Sequence, residues 1–180
     1  MENKQLPCFE SLPEYFSLIL KIIFRSASLI IVNPSNKLLP NFKEKLVLAI
    51  TGINNCAYSS LLHTRIAIEN GVKISEVKRL LEGKLETFPK DEYMAFLYAK
   101  AWTETKGNIS DVERKKVINF FGHRETKLLE SIIMSAHFSN MCSNTVTAYN
   151  EHISEHRSFI LFLITSPFAY LTKKGALKTQ

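Results

Sequence analysis

Glycine and proline are scarce in this chain, six of each among 180 residues. That scarcity, beside long stretches with helical spacing of apolar residues, predicts an all-α fold. Cysteine is rarer still: Cys8, Cys56 and Cys142. An odd, small number with no apolar signal core at the N-terminus (M-E-N-K-Q-L-P-C-F-E) gives no disulfide framework and points to a reducing, cytoplasmic setting of bacterial type. No glycine-rich phosphate loop occurs, so no nucleotide cofactor is expected. No pair of cysteines or histidines has a close metal-ligand spacing. Cys56, His63 and His137 are too dispersed in sequence to predict a zinc site. The net charge is +6, but lysine and arginine are scattered and not interleaved with aromatics, which argues for a solvated surface and no nucleic-acid partner. The longest apolar run near the end, Ser158 to Leu171, is interrupted by Pro167 and too short for a membrane span.

What the chain does have is one unusual stretch, Glu44 to His63: E-K-L-V-L-A-I-T-G-I-N-N-C-A-Y-S-S-L-L-H. A carboxylate, a thiol, hydroxyls and an imidazole share a short run that is otherwise largely apolar. Phe42 to Ile50 reads as a buried helix carrying Glu44, with Thr51, Gly52, Asn54 and Asn55 breaking or bending it. A second helix is predicted from Cys56 to Asn70, stopped by Gly71. On it, Cys56, Ser59, Ser60 and His63 fall at i, i+3, i+4 and i+7 and so line one face. Cys56 to His63 is about 10 Å along the axis, which leaves His63 nearer Ser59 than Cys56. Cys56 lies in the first turn, where unpaired backbone N–H groups and the helix dipole favour a thiolate.

C-A-Y-S-S-L-L-H resembles the C-x-x-C-x-x-x-H active-site motif of the carboxymuconolactone decarboxylase superfamily, in its alkylhydroperoxidase D-like branch. Glu44 precedes Cys56 by the twelve residues that separate the family's glutamate from its first cysteine. The resemblance runs from about Pro13 to Asn150. It takes in P-E-x-F at Pro13–Phe16, L-L-P-x-x-x-E at Leu38–Glu44, H-x-x-x-A-x-x-x-G at His63–Gly71, and the later S-A-H-F-S-N-M-C-S-N-T. It implies an oligomer-forming helical domain that reduces hydrogen peroxide and organic hydroperoxides at the expense of a thiol partner. It also implies a relay in which Glu44 orients His63, and His63 takes the proton from residue 59. The departure is at that residue. Serine stands where the redox members have their attacking cysteine, and a hydroxyl cannot pass through the sulfenic and disulfide states. Either Ser59 is native and marks other chemistry, or it records an engineered Cys→Ser exchange.

Along the chain, a first helix is expected over Leu12–Val32, with Ser11 as its N-cap and Phe16, Ile19, Leu20, Ile23 and Phe24 as its core face. A short helix opens at Ile74, with Ser75 as candidate N-cap, and stops near Gly83. Lys84 to Pro89 connects to a helix over Asp91–Thr105. Ser110 caps Asp111–Phe121 through an S-D-V-E capping box. His123 to Asn150 forms one long helix or two. Residues 1–150 make up the helical domain. Residues 151–180 are an extension whose apolar members, Phe159 to Ile164 and Phe168, must pack on the core or on a neighbouring subunit. A contact between subunits is the favoured reading there, ahead of a role within one chain or at a membrane surface.

Tyr58, within the motif, either donates a hydrogen bond into the pocket or simply packs. His137, Asn140 and Asn144 share one face of the last helix. They resemble the polar positions that the family turns toward its pocket, with hydrogen bonding between helices as the alternative. His123, His152 and His156 read as surface or interface residues. Without a dithiol, Glu44 and His63 could still act as acid and base in a decarboxylase or lactone-acting relative. In a third reading the motif only supports the fold of a non-catalytic oligomeric module. A Ser59–His63–Glu44 triad is also conceivable, but nothing in the sequence marks an oxyanion hole.

Overall fold

The computed structural model describes residues 6–30 and 40–151. They form seven α-helices and one 3-10 turn, with no strand among the described residues. In order these are α1 (Leu12–Ile30), α2 (Pro40–Ile53), α3 (Ala57–Glu69), α4 (Ile74–Leu81), a 3-10 turn at Leu85–Thr87, α5 (Lys90–Glu104), α6 (Asp111–Phe121) and α7 (His123–Glu151). No described helix is long and apolar enough to cross a membrane.

Helix α2 is the centre. Every residue from Glu44 to Thr51 is buried. An apolar helix with no wet face must be walled in on all sides, and α3, α4, α5 and α7 supply the walls. Leu46, Leu48 and Ile50 join Leu80, Phe96, Ala99 and Ile133 in the main core. The expected break at Thr51 and Gly52 does not occur, because α2 runs through both to Ile53. Gly52 serves for close approach instead. A Cβ built there would lie 2.7 Å from the backbone oxygen of Leu81 and 2.9 Å from that of Leu80. The chain turns only at Asn54–Asn55, where Asn55 takes a left-handed φ of 47°, a conformation asparagine tolerates.

Where caps decide the boundaries, sequence and structure agree closely. Ser110 accepts the Glu113 N–H at 3.2 Å and Glu113 accepts the Ser110 N–H at 3.3 Å, which starts α6 at Asp111. Gly71 and Gly83, at φ +84° and +73°, follow the ends of α3 and α4. Ser11 accepts the Glu14 N–H at 3.4 Å ahead of α1. Two expectations need correction. The N-cap of α4 is Lys73, not Ser75: Glu76 reaches back to the Lys73 N–H at 3.1 Å, so the helix starts one residue before the serine. Of the apolar face expected on α1, only Ile19 packs inward. Phe16, Leu20, Ile23 and Phe24 are exposed by 51–75%. Tyr15, Leu18, Ile19 and Ile22 pack inward, against Phe9, Phe138, Met141 and Cys142. Both stripes of α1 are apolar, and only one meets α7.

Helix α7 is one continuous helix of 29 residues. It carries a buried carboxylate that the sequence did not reveal. Glu130 accepts 2.7 Å hydrogen bonds from Tyr98 Oη and Arg114 Nε, and a 3.2 Å bond from another Arg114 nitrogen. This ties α5, α6 and α7 together. The Val32 end expected for the first helix and the apolar extension 151–180 lie outside the described residues, except for Glu151 at the end of α7.

The crossing at Gly52 gives a direct test. Gly52→Ala forces a methyl group onto main-chain oxygens that cannot swing away, and should cost about 1–3 kcal/mol of unfolding free energy in urea titrations. An unchanged denaturation midpoint would show that α2 and α4 are not packed this closely.

Candidate functional site

The central helix carries the first candidate side chain. Glu44 is 7% exposed, so its carboxylate cannot rely on water and needs a partner. That partner is His63, one face away on α3, whose Nδ1 lies 2.8 Å from Glu44 Oε2. The His63 side chain keeps 22% of its surface exposed against 9% for Glu44. The pair therefore spans from core to surface. With Glu44 ionised, Nδ1–H donates to the carboxylate and the Nε2 lone pair is left to accept a proton.

The second pair sits at the start of α3. Cys56 is the N-cap, in extended conformation (φ −91°, ψ 100°), and its side chain makes no capping hydrogen bond. Its carbonyl accepts the Ser60 N–H at 3.0 Å. Its thiol lies 3.3 Å from Ser59 Oγ, and both residues are only 2% exposed. The i, i+3 spacing read from the sequence is thus realised as a contact. Ser60 faces outward and donates to the Ala57 carbonyl, and Tyr58 is exposed by 37%. Among the described residues no hydrogen bond joins the Cys56–Ser59 pair to the Glu44–His63 pair. Among the described residues the structure thus holds one pair at the head of α3 and one that joins α3 to α2, and no closed Ser–His–Glu triad.

Behind Cys56 lies a buried polar seam between α2 and α7. Asn54 Nδ2 and His137 Nδ1 are 3.3 Å apart, Asn140 Nδ2 donates to Thr51 Oγ1 at 3.4 Å, and Asn144 Nδ2 donates to the Asn54 carbonyl at 2.9 Å. His137, Asn140 and Asn144 thus share one face, as their spacing predicts, and they meet Thr51 near the end of α2 and Asn54 in the turn that follows it. They bear on the site through the Asn54–Asn55 turn that leads into Cys56. Trp102 meets the His137 ring edge-on, with centroids 5.6 Å apart.

Burial holds the His137 imidazole down, from an ordinary 6.5 to about 4, with the Lys106 charge acting in the same direction and Glu14 opposing. Burial likewise pushes the Cys142 thiol up to about 12, which marks it as an inert core thiol. Cys8 is half-buried, and the three cysteines form no disulfide with one another. His123 is exposed, as expected, whereas His152 and His156 lie outside the described residues. No cluster of three or more His, Cys, Asp or Glu side chains suited to a metal ion occurs among the described residues.

One buried charge beside Glu44 gave no functional signal in the sequence. Lys45 is 9% exposed and is held by Glu76 at 2.8 Å and Glu92 at 3.0 Å, 5.9 Å from the Phe88 ring centre. A lysine next to a site glutamate in an apolar run was the only available clue.

With this geometry in hand, comparison with protein-family models, with curated proteins and with solved structures finds no match to the chain.

The His137 environment fixes a pH dependence. The folded-state value of about 4 lies below the unfolded 6.5, so the unfolded chain binds the extra proton between these limits. Stability contributed by the neutral, buried ring is complete above about pH 6.5 and is lost as pH falls toward 4. The total loss is on the order of 3 kcal/mol. Urea midpoints at pH 7 and pH 5 should differ by more in the parent protein than in His137→Gln. An equal pH response in the two proteins would remove His137 as the cause.

Proposed function

We propose that this chain is an alkylhydroperoxidase D-like protein of the carboxymuconolactone decarboxylase superfamily, in a form whose peroxide-reacting position is occupied by Ser59. The observation that carries this reading is the 3.3 Å contact between Cys56 Sγ and Ser59 Oγ. A thiol at position 59 would sit within a small rotation of disulfide distance from Cys56. His63, held by Glu44 from α2, follows residue 59 by one turn of α3, and in this reading it takes the proton from that residue.

With a thiol at 59, the cycle is balanced. The thiolate attacks the hydroperoxide, the O–O bond breaks, and alcohol leaves as the sulfur becomes a sulfenic acid. Cys56 then condenses with it, forming the disulfide and releasing water. An external dithiol, protein or small molecule, reduces the pair. Ser59 stops the first step, so the chain as it stands does not run this cycle. In this proposal the setting is a reducing cytoplasm, and the working unit is a homo-oligomer. Leu61 and Leu62, exposed by 76% and 43% on the motif helix, support a contact between subunits beside the site.

A second reading rests on the Glu44–His63 pair alone, which needs no thiol. Here His63 acts as acid–base, oriented by Glu44, on a small carboxylated or lactone substrate. The solvent access of His63, against the near-complete burial of Cys56 and Ser59, favours keeping it.

Two measurements divide the readings. Ser59→Cys, reduced by excess dithiol, should consume hydrogen peroxide or cumene hydroperoxide, and the parent should not. A flat trace from the fully reduced variant counts against the peroxidase reading. Adding His63→Ala to the active variant should lower its turnover about 10²–10⁴-fold, the usual range for a lost general base. In the acid–base reading, Cys56→Ala is nearly silent in the parent while His63→Ala abolishes turnover.

A further inference from the structure

Helix α1 is apolar on two opposite sides, and only one of them is covered. Tyr15, Leu18, Ile19 and Ile22 pack on α7 and Phe9. On the other side Phe16, Leu20, Ile23 and Phe24 are exposed by 51%, 52%, 57% and 75%. Pro13, Phe16, Ser17, Leu20, Lys21 and Phe24 line a shallow groove of about 610 Å³, and among the described residues lining it Lys21 is the only charged one. The spacing Phe16, Leu20, Ile23 is i, i+4, i+7, which is a seam shaped to receive another extended or helical segment. An exposed, contiguous apolar patch of this kind marks a contact surface, so this side of α1 lacks a neighbour.

We propose that the neighbour is residues Ser158–Leu171 of the same chain. That stretch, S-F-I-L-F-L-I-T-S-P-F-A-Y-L, carries no charge and offers the apolar surface the groove requires. The ends are suitably placed. Asn144 donates to the Pro7 carbonyl and Thr145 Oγ1 accepts the Phe9 N–H, while Phe138 meets Tyr15. Hence α7 runs antiparallel to α1, and its last described residue, Glu151, lies beyond the level of Phe9, at the N-terminal end of α1. Six residues, 152–157, follow before the apolar stretch. They span up to about 20 Å, which matches the two helix spacings of 8–10 Å each that separate α7 from the far side of α1. The stretch would then return along α1. Its fourteen residues are enough chain to run the about 17 Å from Pro13 to Phe24. Reach alone requires no second copy.

The test uses the full chain with a photoreactive residue at the most exposed groove position, Phe24→benzoylphenylalanine. Equal amounts of ¹⁴N- and ¹⁵N-labelled protein are mixed, irradiated and digested. The expected result is linkage to peptides within 158–171 carrying one isotope only, with at least a fivefold lower yield in the added Phe162→Asp, Leu163→Asp double variant. Linkages of mixed isotope show that another copy fills the groove and overturn the proposal. Linkage to regions outside 158–171, no linkage at all, or a yield unchanged by the two aspartates also overturns it.

Discussion

From Glu44 to Thr51 α2 has no solvent face and cannot leave a charge unpaired, and this stretch carries two adjacent ones. Glu44 and Lys45 are of opposite sign and both buried. Successive residues on a helix point about 100° apart, so the two charges cannot share a partner. Each recruits its own from a different wall: Glu44 takes His63 from α3, and Lys45 takes Glu76 from α4 and Glu92 from α5. The placement of three surrounding helices is thus bound to the satisfaction of two neighbouring side chains. Removing one partner from such a buried pair costs far more than the pair itself contributes, because the desolvated charge remains. The Glu44–His63 dyad is, on this view, a structural necessity.

The polar seam between α2 and α7 extends the same logic to neutral groups. Thr51, Asn54, His137, Asn140 and Asn144 are all at most 5% exposed, and each has a partner across the seam. Hydrogen bonds fix register in a way that leucine contacts do not. They determine where α2 ends, hence where Asn55 turns, and hence where Cys56 caps α3. The thiol's position at the head of its helix follows from asparagines more than eighty residues away in sequence.

Much of this was readable in the sequence. The helices announce themselves by cap and stop: Ser110 with Glu113, Gly71, Gly83. The twelve-residue interval from Glu44 to Cys56 and the seven from Cys56 to His63 place four side chains on two adjoining helices, and the contacts Glu44–His63 and Cys56–Ser59 follow. Other features were illegible for definite reasons. Gly52 looks like a breaker because a close helix crossing demands the same residue as a bend. The buried side of α1 cannot be chosen from a pattern in which both sides are apolar. The Lys73 cap has no capping side chain of its own and depends on Glu76. Glu130 reads as one more polar residue of a long helix until Arg114 and Tyr98 arrive from elsewhere in the chain. Whether residue 59 meets His63 directly also depends on rotamers, which spacing does not encode.

The enclosure of α2 has a kinetic corollary. Amides in a helix wrapped on every side exchange with solvent only when the whole domain opens, whereas those of partly wet elements exchange through small local fluctuations. Glu44 belongs to the first kind of element and His63 to the edge of the second. The two halves of the dyad therefore live on different clocks. The backbone that carries the carboxylate opens only with the domain, while that of the imidazole, whose side chain keeps 22% of its surface in solvent, reports on smaller openings.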